Sequence, residues 1–449
     1  MSENAVIDAP AAPRLTVIGT GYLGATHAIC MAVLGFDVLG VDVDQSKIDR
    51  LNSGEVPFFE PGLPELLTKA LETGRLRFTA DYAEAAAFGD VHFLCVGTPQ
   101  QKGSPAADLT YVDGAVTALA QHLDRRVLIV GKSTVPVGTA ARLTALARQV
   151  APAGDQVELA WNPEFLREGF AVEDTLRPDR LVFGVDGDWA EQQLRTVFAS
   201  IIEAGTPVVV TDLPTAELVK VAANSFLATK ISYINAMAEV CETTGADVEQ
   251  LAQALSYDTR IGGRFLKPGL GFGGGCLPKD IRAFAHRAEE LGVGQAVAFL
   301  HEVDAINQRR RARTVDLVRE LAGGDLAGVR VAALGAAFKP DSDDIRDAPA
   351  LDVARMLQEA GAIVRVYDPQ AVENARRAYP DLEYAVSALD AATDADVMVL
   401  LTEWTEFREV DPEAFGAVVA HRRVVDGRHA LPRELYIQAG WEYRALGRP

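Results

Sequence analysis

The chain reads as an α/β protein: two Rossmann-like domains joined by a long central helix and a helical linker domain. Three observations predict this. Near the start a short apolar strand, Leu15 to Ile18, runs into Gly19-Thr-Gly21-Tyr22-Leu23-Gly24 and a helix-like stretch through Ala32. A second strand, Asp37 to Val41, then ends at Asp42. From Thr215 to about Cys241, apolar residues that include Leu218, Val221, Ala222, Ile231, Ile234 and Val240 recur at helical spacing. Beyond Gly323-Gly324 a fresh strand, Val329 to Leu334, opens a second alternation of strand and helix signals.

A length of 449 residues exceeds one ordinary core. The expected division is a flexible N-terminal arm at 1–13, a dinucleotide domain at 14–213, a central helical domain with a cysteine loop at 214–322, and a second Rossmann-like domain at 323–449. Hydrophobic residues make up 49% without any apolar run near 18 residues, so a globular chain without a membrane span is expected. The opening Met-Ser-Glu-Asn lacks a charged-then-apolar leader, which points to the cytoplasm. Cysteines at 30, 95, 241 and 276 are scattered and match no zinc spacing, so reduced thiols and no metal are expected. A net charge of −20 argues against broad contact with nucleic acid or an anionic membrane. It leaves room for an anionic small ligand where basic residues gather.

The first unit carries the order strand, glycine turn, helix, strand, acid. Its glycines permit the tight turn, let the backbone approach a pyrophosphate, and let the helix pack on the strand. Asp42, roughly 20 residues after the first glycine, suits the ribose hydroxyls. With Asp44 beside it a 2′-phosphate would be repelled, so NAD is expected rather than NADP. Further strands are expected at Val91 to Val96, Val127 to Val130, Val157 to Ala160 and Leu181 to Phe183. Three of them end in turns holding Thr98, Thr134 and Glu164, where an open α/β sheet binds its ligands. Those turns serve equally well as plain Asn-Pro and Ser-Thr punctuation.

Lys220 and Asn224 lie four apart and therefore on one side of the long helix, either as a solvated stripe or facing a cleft. Arg260, Arg264, Lys267 and Lys279 gather positive charge ahead of Gly271-Phe-Gly-Gly-Gly-Cys276-Leu-Pro-Lys279-Asp280. The glycines clear side-chain bulk from the approach to Cys276, Pro278 suits a first helical turn, and a nearby cation favours the thiolate. The plainer alternative is a small buried cysteine in a glycine loop. In the last domain a helix near Leu351 to Glu359 and strands Val364 to Tyr367, Asp394 to Leu401 and Val424 to Asp426 are expected. Its first strand leads to Gly335-Ala-Ala, an incomplete fingerprint, so no second dinucleotide is assigned; Lys339, Asp341 and Arg346 follow where a base or phosphate could be met.

Taken together, Asn162-Pro163-Glu164-Phe165-Leu166-Arg167-Glu168-Gly169, Lys220-Val-Ala-Ala-Asn224 and the Cys276 loop, in that order behind a dinucleotide fingerprint, resemble the UDP-glucose/GDP-mannose dehydrogenase family. The likeness runs from about Leu15 to Asp426-Gly-Arg428. It implies oxidation of a sugar C6 alcohol to a carboxylate with two NAD, through a thiohemiacetal and a thioester on Cys276. By the same resemblance Lys220 and Asn224 stabilise the C6 oxygen, Glu164 does acid-base work, and Thr134 and Asp280 place water. The resemblance assigns NAD contacts to Gly19, Gly21, Tyr22, Leu23, Gly24, Asp42, Lys47, Thr98, Thr134, Glu168, Lys279 and Arg346. It assigns substrate contacts to Glu164, Phe165, Leu166, Lys220, Asn224, Arg260, Phe265, Leu266, Lys267, Gly269, Gly273, Phe338 and Lys339, with Arg428 a looser match.

In the family an arginine at the place of Arg260 reaches the substrate of a neighbouring subunit, which implies a homodimer or higher homo-oligomer. Gly275 departs from the family pattern, in which many members carry serine. UDP-glucose is the first choice of substrate, ahead of GDP-mannose and UDP-N-acetylmannosamine. Two competing readings are a nucleotide-sugar-binding protein that has lost the chemistry and a one-step dehydrogenase of hydroxyacid type, which would need no thiol.

Overall fold

The computed structural model describes residues 12–448, so nearly all of the arm expected at 1–13 lies outside the described residues. The chain forms two compact units, divided after Lys220. The first holds strands β1 (Leu15–Ile18), β2 (Val38–Val41), β3 (Leu76–Thr79), β4 (Val91–Leu94), β5 (Val127–Gly131), β6 (Val157–Trp161), β7 (Leu181–Gly184) and β8 (Val208–Thr211), in the sheet order β3-β2-β1-β4-β5-β6-β7-β8. Every pairing is parallel except β6 with β7, which meet antiparallel at Trp161 and Gly184.

Strands β1, β2, β4 and β5 are buried along their whole length, as a parallel sheet covered on both faces requires. Side chains alternate between two cores: Leu15 and Val17 join Ile29 and Phe93 on one face, while Ile18 joins Leu39, Val41 and Ile129 on the other. Strand order reverses between β1 and β4, the place where such sheets bind ligands. Gly19 ends β1 with φ +89°, and a Cβ there would fall 2.8 Å from the Val96 side chain and 2.9 Å from its backbone. A Cβ on Gly24 would lie 1.7 Å from the Gly19 carbonyl, so only glycine lets the helix Tyr22–Val33 seat against the turn.

A helix of 32 residues, Leu213–Thr244, contains the division between the units and extends the expected span at both ends. The second unit continues with helices Val248–Ser256, Leu277–Glu290 and Phe299–Ala322. Its sheet holds β9 (Arg330–Leu334), β10 (Ile363–Tyr367), β11 (Glu383–Tyr384), β12 (Val397–Leu400), β13 (Arg423–Asp426) and β14 (Glu442–Ala445), all parallel, in the order β11-β10-β9-β12-β13-β14. That order repeats the first six strands of the first unit. Strands β3, β8, β11 and β14 were not expected from sequence. Each has four residues or fewer; β3, β11 and β14 carry no apolar run, and the three valines of β8 lie largely exposed at a sheet edge.

Candidate active site

In the first unit the glycine turn is built around a buried acid. Asp42 is 7% exposed, and its Oδ2 accepts from the Thr20 amide at 2.8 Å, the Thr20 hydroxyl at 2.9 Å and Lys47 Nζ at 2.9 Å. Its Oδ1 accepts from the Asp44 amide at 3.1 Å. Burial alone would push the carboxyl up; the hydrogen bond from Lys47 and the two amides outweigh it and hold Asp42 below the usual carboxylate range. A Cβ on Gly21 or Gly97 would meet nothing within 4 Å, and the helix Tyr22–Val33 starts without a side-chain cap. Open approach, uncapped amides and an ionised acid are the donor set that a dinucleotide takes, so the residues fit NAD. Lys47 belongs to this group through Asp42. Leu23 is half-buried beside Tyr22 in the first turn of that helix, and Glu168 lies near enough to Tyr22 to help keep its phenol protonated. Thr98 is buried and donates to the Thr134 carbonyl at 2.7 Å, which ties the ends of β4 and β5 together.

At the end of β6, Glu164 Oε1 pairs with Lys220 Nζ at 3.2 Å, and the two side chains are only 13% and 6% exposed. Glu164 Oε2 accepts from the Leu166 amide at 2.6 Å, which fixes the carboxylate. The Phe165 ring lies 5.4 Å from Lys220 Nζ and 3.8 Å from the Arg180 guanidinium carbon, so two cations share its face region. Sequence reasoning missed two residues here, Arg180 and Lys132. Lys132 is buried at the end of β5 and donates to Asn162 Oδ1 at 2.9 Å, while Asn162 Nδ2 donates to the Val182 carbonyl at 3.0 Å. The backbone carbonyl of Lys132 accepts from the Glu164 amide at 3.4 Å. A lysine directly after a five-residue apolar strand was the available signal.

In the second unit the cysteine loop is shaped by contacts that exclude side chains. Gly271 has φ +91°, and a Cβ there would strike Asn307, whose amide clamps Phe272 by accepting from its N–H at 2.8 Å and donating to its carbonyl at 2.9 Å. Gly274, with φ +85°, packs on the Phe338 ring, and its amide donates to the Arg346 carbonyl at 2.9 Å. Gly273 backs onto the Asp347 carbonyl. A Cβ on Gly275 would come within 2.3 Å of the Arg346 guanidinium carbon, so glycine at this position leaves that cation room against the loop. Arg346 itself is forked on Asp344.

Cys276 occupies the position before the helix Leu277–Glu290, whose first turn contains Pro278, and the positive end of that helix favours an anion. Cys276 is exposed; Cys30, Cys95 and Cys241 are buried. Burial pushes the Cys30 and Cys95 thiols up to about 12, which disqualifies them as nucleophiles near neutral pH. One turn into the helix, Asp280 is 2% exposed; its Oδ2 accepts from Asn224 Nδ2 at 2.7 Å and its Oδ1 from Lys279 Nζ at 2.5 Å. The structure therefore brings Asn224, Lys279, Asp280 and Cys276 to one helix start.

The remaining expected residues divide. Arg428 directs its guanidinium to the carbonyls of Leu401 (2.7 Å), Gly271 (3.0 Å) and Phe338 (3.3 Å), so it acts on the loops rather than presenting a free cation. Lys339 Nζ lies 5.4 Å from the Phe338 ring centroid. Leu266 and Gly269 are buried, and the Gly269 amide donates to Asn235 Oδ1 at 2.9 Å. Phe265 holds φ +64°, an unusual conformation for an aromatic residue, and is exposed together with Lys267. Arg260 is highly exposed and its guanidinium pairs with nearby Asp258.

Residues 13–202 match the UDP-glucose/GDP-mannose dehydrogenase family, NAD binding domain; residues 214–309 match its central domain, and residues 332–433 its UDP binding domain. The UDP-glucose 6-dehydrogenase of Rhizobium meliloti is 42% identical over 97% of this chain and 100% of its own length. UDP-glucose 6-dehydrogenase TuaD of Bacillus subtilis is 39% identical over 97% of this chain and 93% of its own. Among solved structures, a UDP-glucose dehydrogenase from the archaeon Pyrobaculum islandicum superposes with TM-score 0.90 at 36% identity, covering 98% of this chain and 99% of that one. A UDP-D-ManNAc dehydrogenase from Pyrococcus horikoshii superposes with TM-score 0.85 at 27% identity, covering 97% and 99%.

Proposed function

The chain belongs to the UDP-glucose/GDP-mannose dehydrogenase family, and from that premise we propose that it oxidises UDP-glucose to UDP-glucuronate in two NAD-dependent steps. The Gly19–Gly24 turn and Asp42 would hold NAD, which would supply the hydride acceptor for both oxidations. Cys276 captures the intermediate aldehyde as a thiohemiacetal, the second oxidation makes a thioester, and water releases the acid. Keeping the half-oxidised carbon on sulfur lets one dinucleotide site act twice on it. Lys220 and Asn224, one helical turn apart, donate to the C6 oxygen as it gathers negative charge. Glu164 exchanges protons with water during thioester hydrolysis, and Asp280 and Thr134 orient that water.

The observation that carries this reading is the exposed Cys276 at a helix start with Asp280, Lys279 and Asn224 gathered one turn away. A protein that only bound nucleotide sugars would need none of this, and neither would a one-step dehydrogenase. UDP-glucose is favoured over GDP-mannose and UDP-N-acetylmannosamine because the relatives at about 40% identity carry that substrate in their names.

In this scheme the chain is organised as a cofactor domain at 14–213, a central domain at 214–322 and a nucleotide-sugar domain at 323–449. The substrate residues in the last two are Arg260, Phe265, Leu266, Lys267, Gly269, Gly273, Phe338 and Lys339. It works in the cytoplasm as a homodimer or larger homo-oligomer; Phe226, Tyr233 and Val240, seven apart on the long helix, are 51–66% exposed and form an apolar stripe suited to a second copy. Among the described residues no helix is long and apolar enough to cross a membrane. The deciding experiment follows NADH absorbance with limiting UDP-glucose: two NADH per sugar are expected, and Cys276→Ser should abolish steady turnover while still binding NAD. One NADH per sugar, or an undiminished rate in the serine variant, overturns the thioester route.

A further inference from the structure

We propose that Glu60 is a positioning residue that locks the segment carrying Glu164 and Glu168 to the first turn of the dinucleotide helix. The inference rests on the reading that the Gly19–Gly24 turn holds NAD. Glu60 lies in the loop before the helix Leu63–Glu72, outside the motifs picked out in the sequence, yet it is only 3% exposed. Its Oε2 accepts from the Gly169 amide at 2.7 Å and from the Tyr22 hydroxyl, and its Oε1 accepts from the Ala171 amide at 2.7 Å. Among the described residues no lysine or arginine pairs with it, so two amides and a phenol compensate the buried charge. Such an arrangement is costly to build and costlier to leave half-satisfied.

The three donors come from the two places that the reaction must hold in register. Tyr22 directly follows Gly21, so its position sets the direction of the helix amides that meet a pyrophosphate. Its ring is braced by Phe58 from the same loop as Glu60, at 4.9 Å between centroids. Gly169 and Ala171 close the segment that begins at Glu164, and Gly169 adopts φ +79°, so the chain turns sharply where Glu60 grips it. The Gly169 amide also reaches the Tyr22 oxygen at 3.0 Å. At its other end the segment is fixed by Glu164 with Lys220 and the Leu166 amide, and in the middle by Arg167 on Asp174. Glu60 supplies the link to the glycine turn. Burial and the Glu60 carboxylate drive the Tyr22 phenol far above its ordinary range, so it remains a donor throughout the working pH range.

The test compares wild type with Glu60→Gln, Tyr22→Phe and the double variant, measuring NAD and UDP-glucose dissociation constants by calorimetry, steady-state constants, and melting temperature. Glu60→Gln places an amide NH₂ against a backbone N–H, so NAD should bind on the order of ten-fold more weakly, with UDP-glucose affinity unchanged. Tyr22→Phe should give a smaller loss, and the double variant should be no worse than Glu60→Gln alone, because both act through one contact. A variant that melts lower but keeps wild-type NAD affinity and KM overturns the proposal, as does strict additivity. If Glu60→Gln fails to fold, Tyr22→Phe decides alone: unchanged NAD affinity overturns the proposal. Wild-type protein that binds no NAD would instead remove the premise, an outcome distinct from a normal wild type with indifferent variants.

Discussion

Acidification should weaken the first unit through two buried histidines. His92, on β4, is fully buried with Nδ1 2.6 Å from the Thr16 hydroxyl on β1, and burial, helped by Arg125, pushes its ring down from 6.5 to about 3. His27, in the helix after the glycine turn, is buried against Phe93 and is also held well below 6.5, by burial and then by Lys132. Both rings stay neutral in the fold while the unfolded chain takes up protons. The folded value is depressed, so this stability is complete above pH 6.5 and drains away as pH falls towards the folded value. Between pH 7 and pH 5 the His92 ring should cost about 2 kcal/mol, and His27 adds a loss of the same sign.

The variant Thr16→Val/His92→Leu removes both partners of one hydrogen bond and leaves no orphan. Its stability loss between pH 7 and pH 5 should be smaller than wild type by about 2 kcal/mol, roughly 4–8 °C in the melting of a unit this size. Differential scanning calorimetry at the two pH values, following the transition that NAD shifts upward, reads this directly. Equal pH sensitivity in wild type and variant would refute the reasoning.

Two further outcomes follow from the site. Asp42→Asn keeps the shape but sets an amide against the Thr20 and Lys47 donors; NAD affinity should fall by on the order of ten-fold, and titration calorimetry showing no change would remove Asp42 from the ribose. Lys132→Met deletes a buried amine whose proton is disfavoured first by burial and then by Lys220. For a lysine lowered in the fold, stability is reduced at pH 7, so losing the group offsets the lost bond to Asn162. The melting temperature should hold while kcat falls on the order of ten-fold through the loosened Glu164 turn, and an unchanged kcat would show that Lys132 is only packing.

Much of this was legible because glycine and strand ends leave positional marks. Gly19, Gly24, Gly271 and Gly274 are needed where the structure puts another backbone, a ring or the Asn307 amide against them, and their spacing announces both loops in the sequence. Asn224 and Asp280 were visible only as members of separate motifs, and their hydrogen bond depends on tertiary placement that spacing cannot encode. Glu60, Lys132 and Arg180 left no such mark. A glutamate before a proline, or a lysine after a strand, is ordinary surface composition until burial makes it exceptional. Arg428 was marked only by a loose family resemblance, and its hydrogen bonds to three carbonyls of the loops around it could not be read from the sequence.

The second sheet shows why strand order alone does not make a dinucleotide site. After β9 the chain turns at Gly335, with φ +122°, much as it does at Gly19 after β1. In the first unit the acid after β2 accepts one amide of the turn and a lysine, and the helix that follows keeps its leading amides uncapped. In the second, Asp368 after β10 accepts the Ala336 and Ala337 amides and the Trp404 indole on one oxygen, and the Gln370 and Ala371 amides on the other. Amides that could face a pyrophosphate are thus spent on the protein's own carboxylate, which is 2% exposed and out of reach of a ribose. The same topology therefore serves two purposes, and the difference lies in which groups satisfy the turn after the first strand.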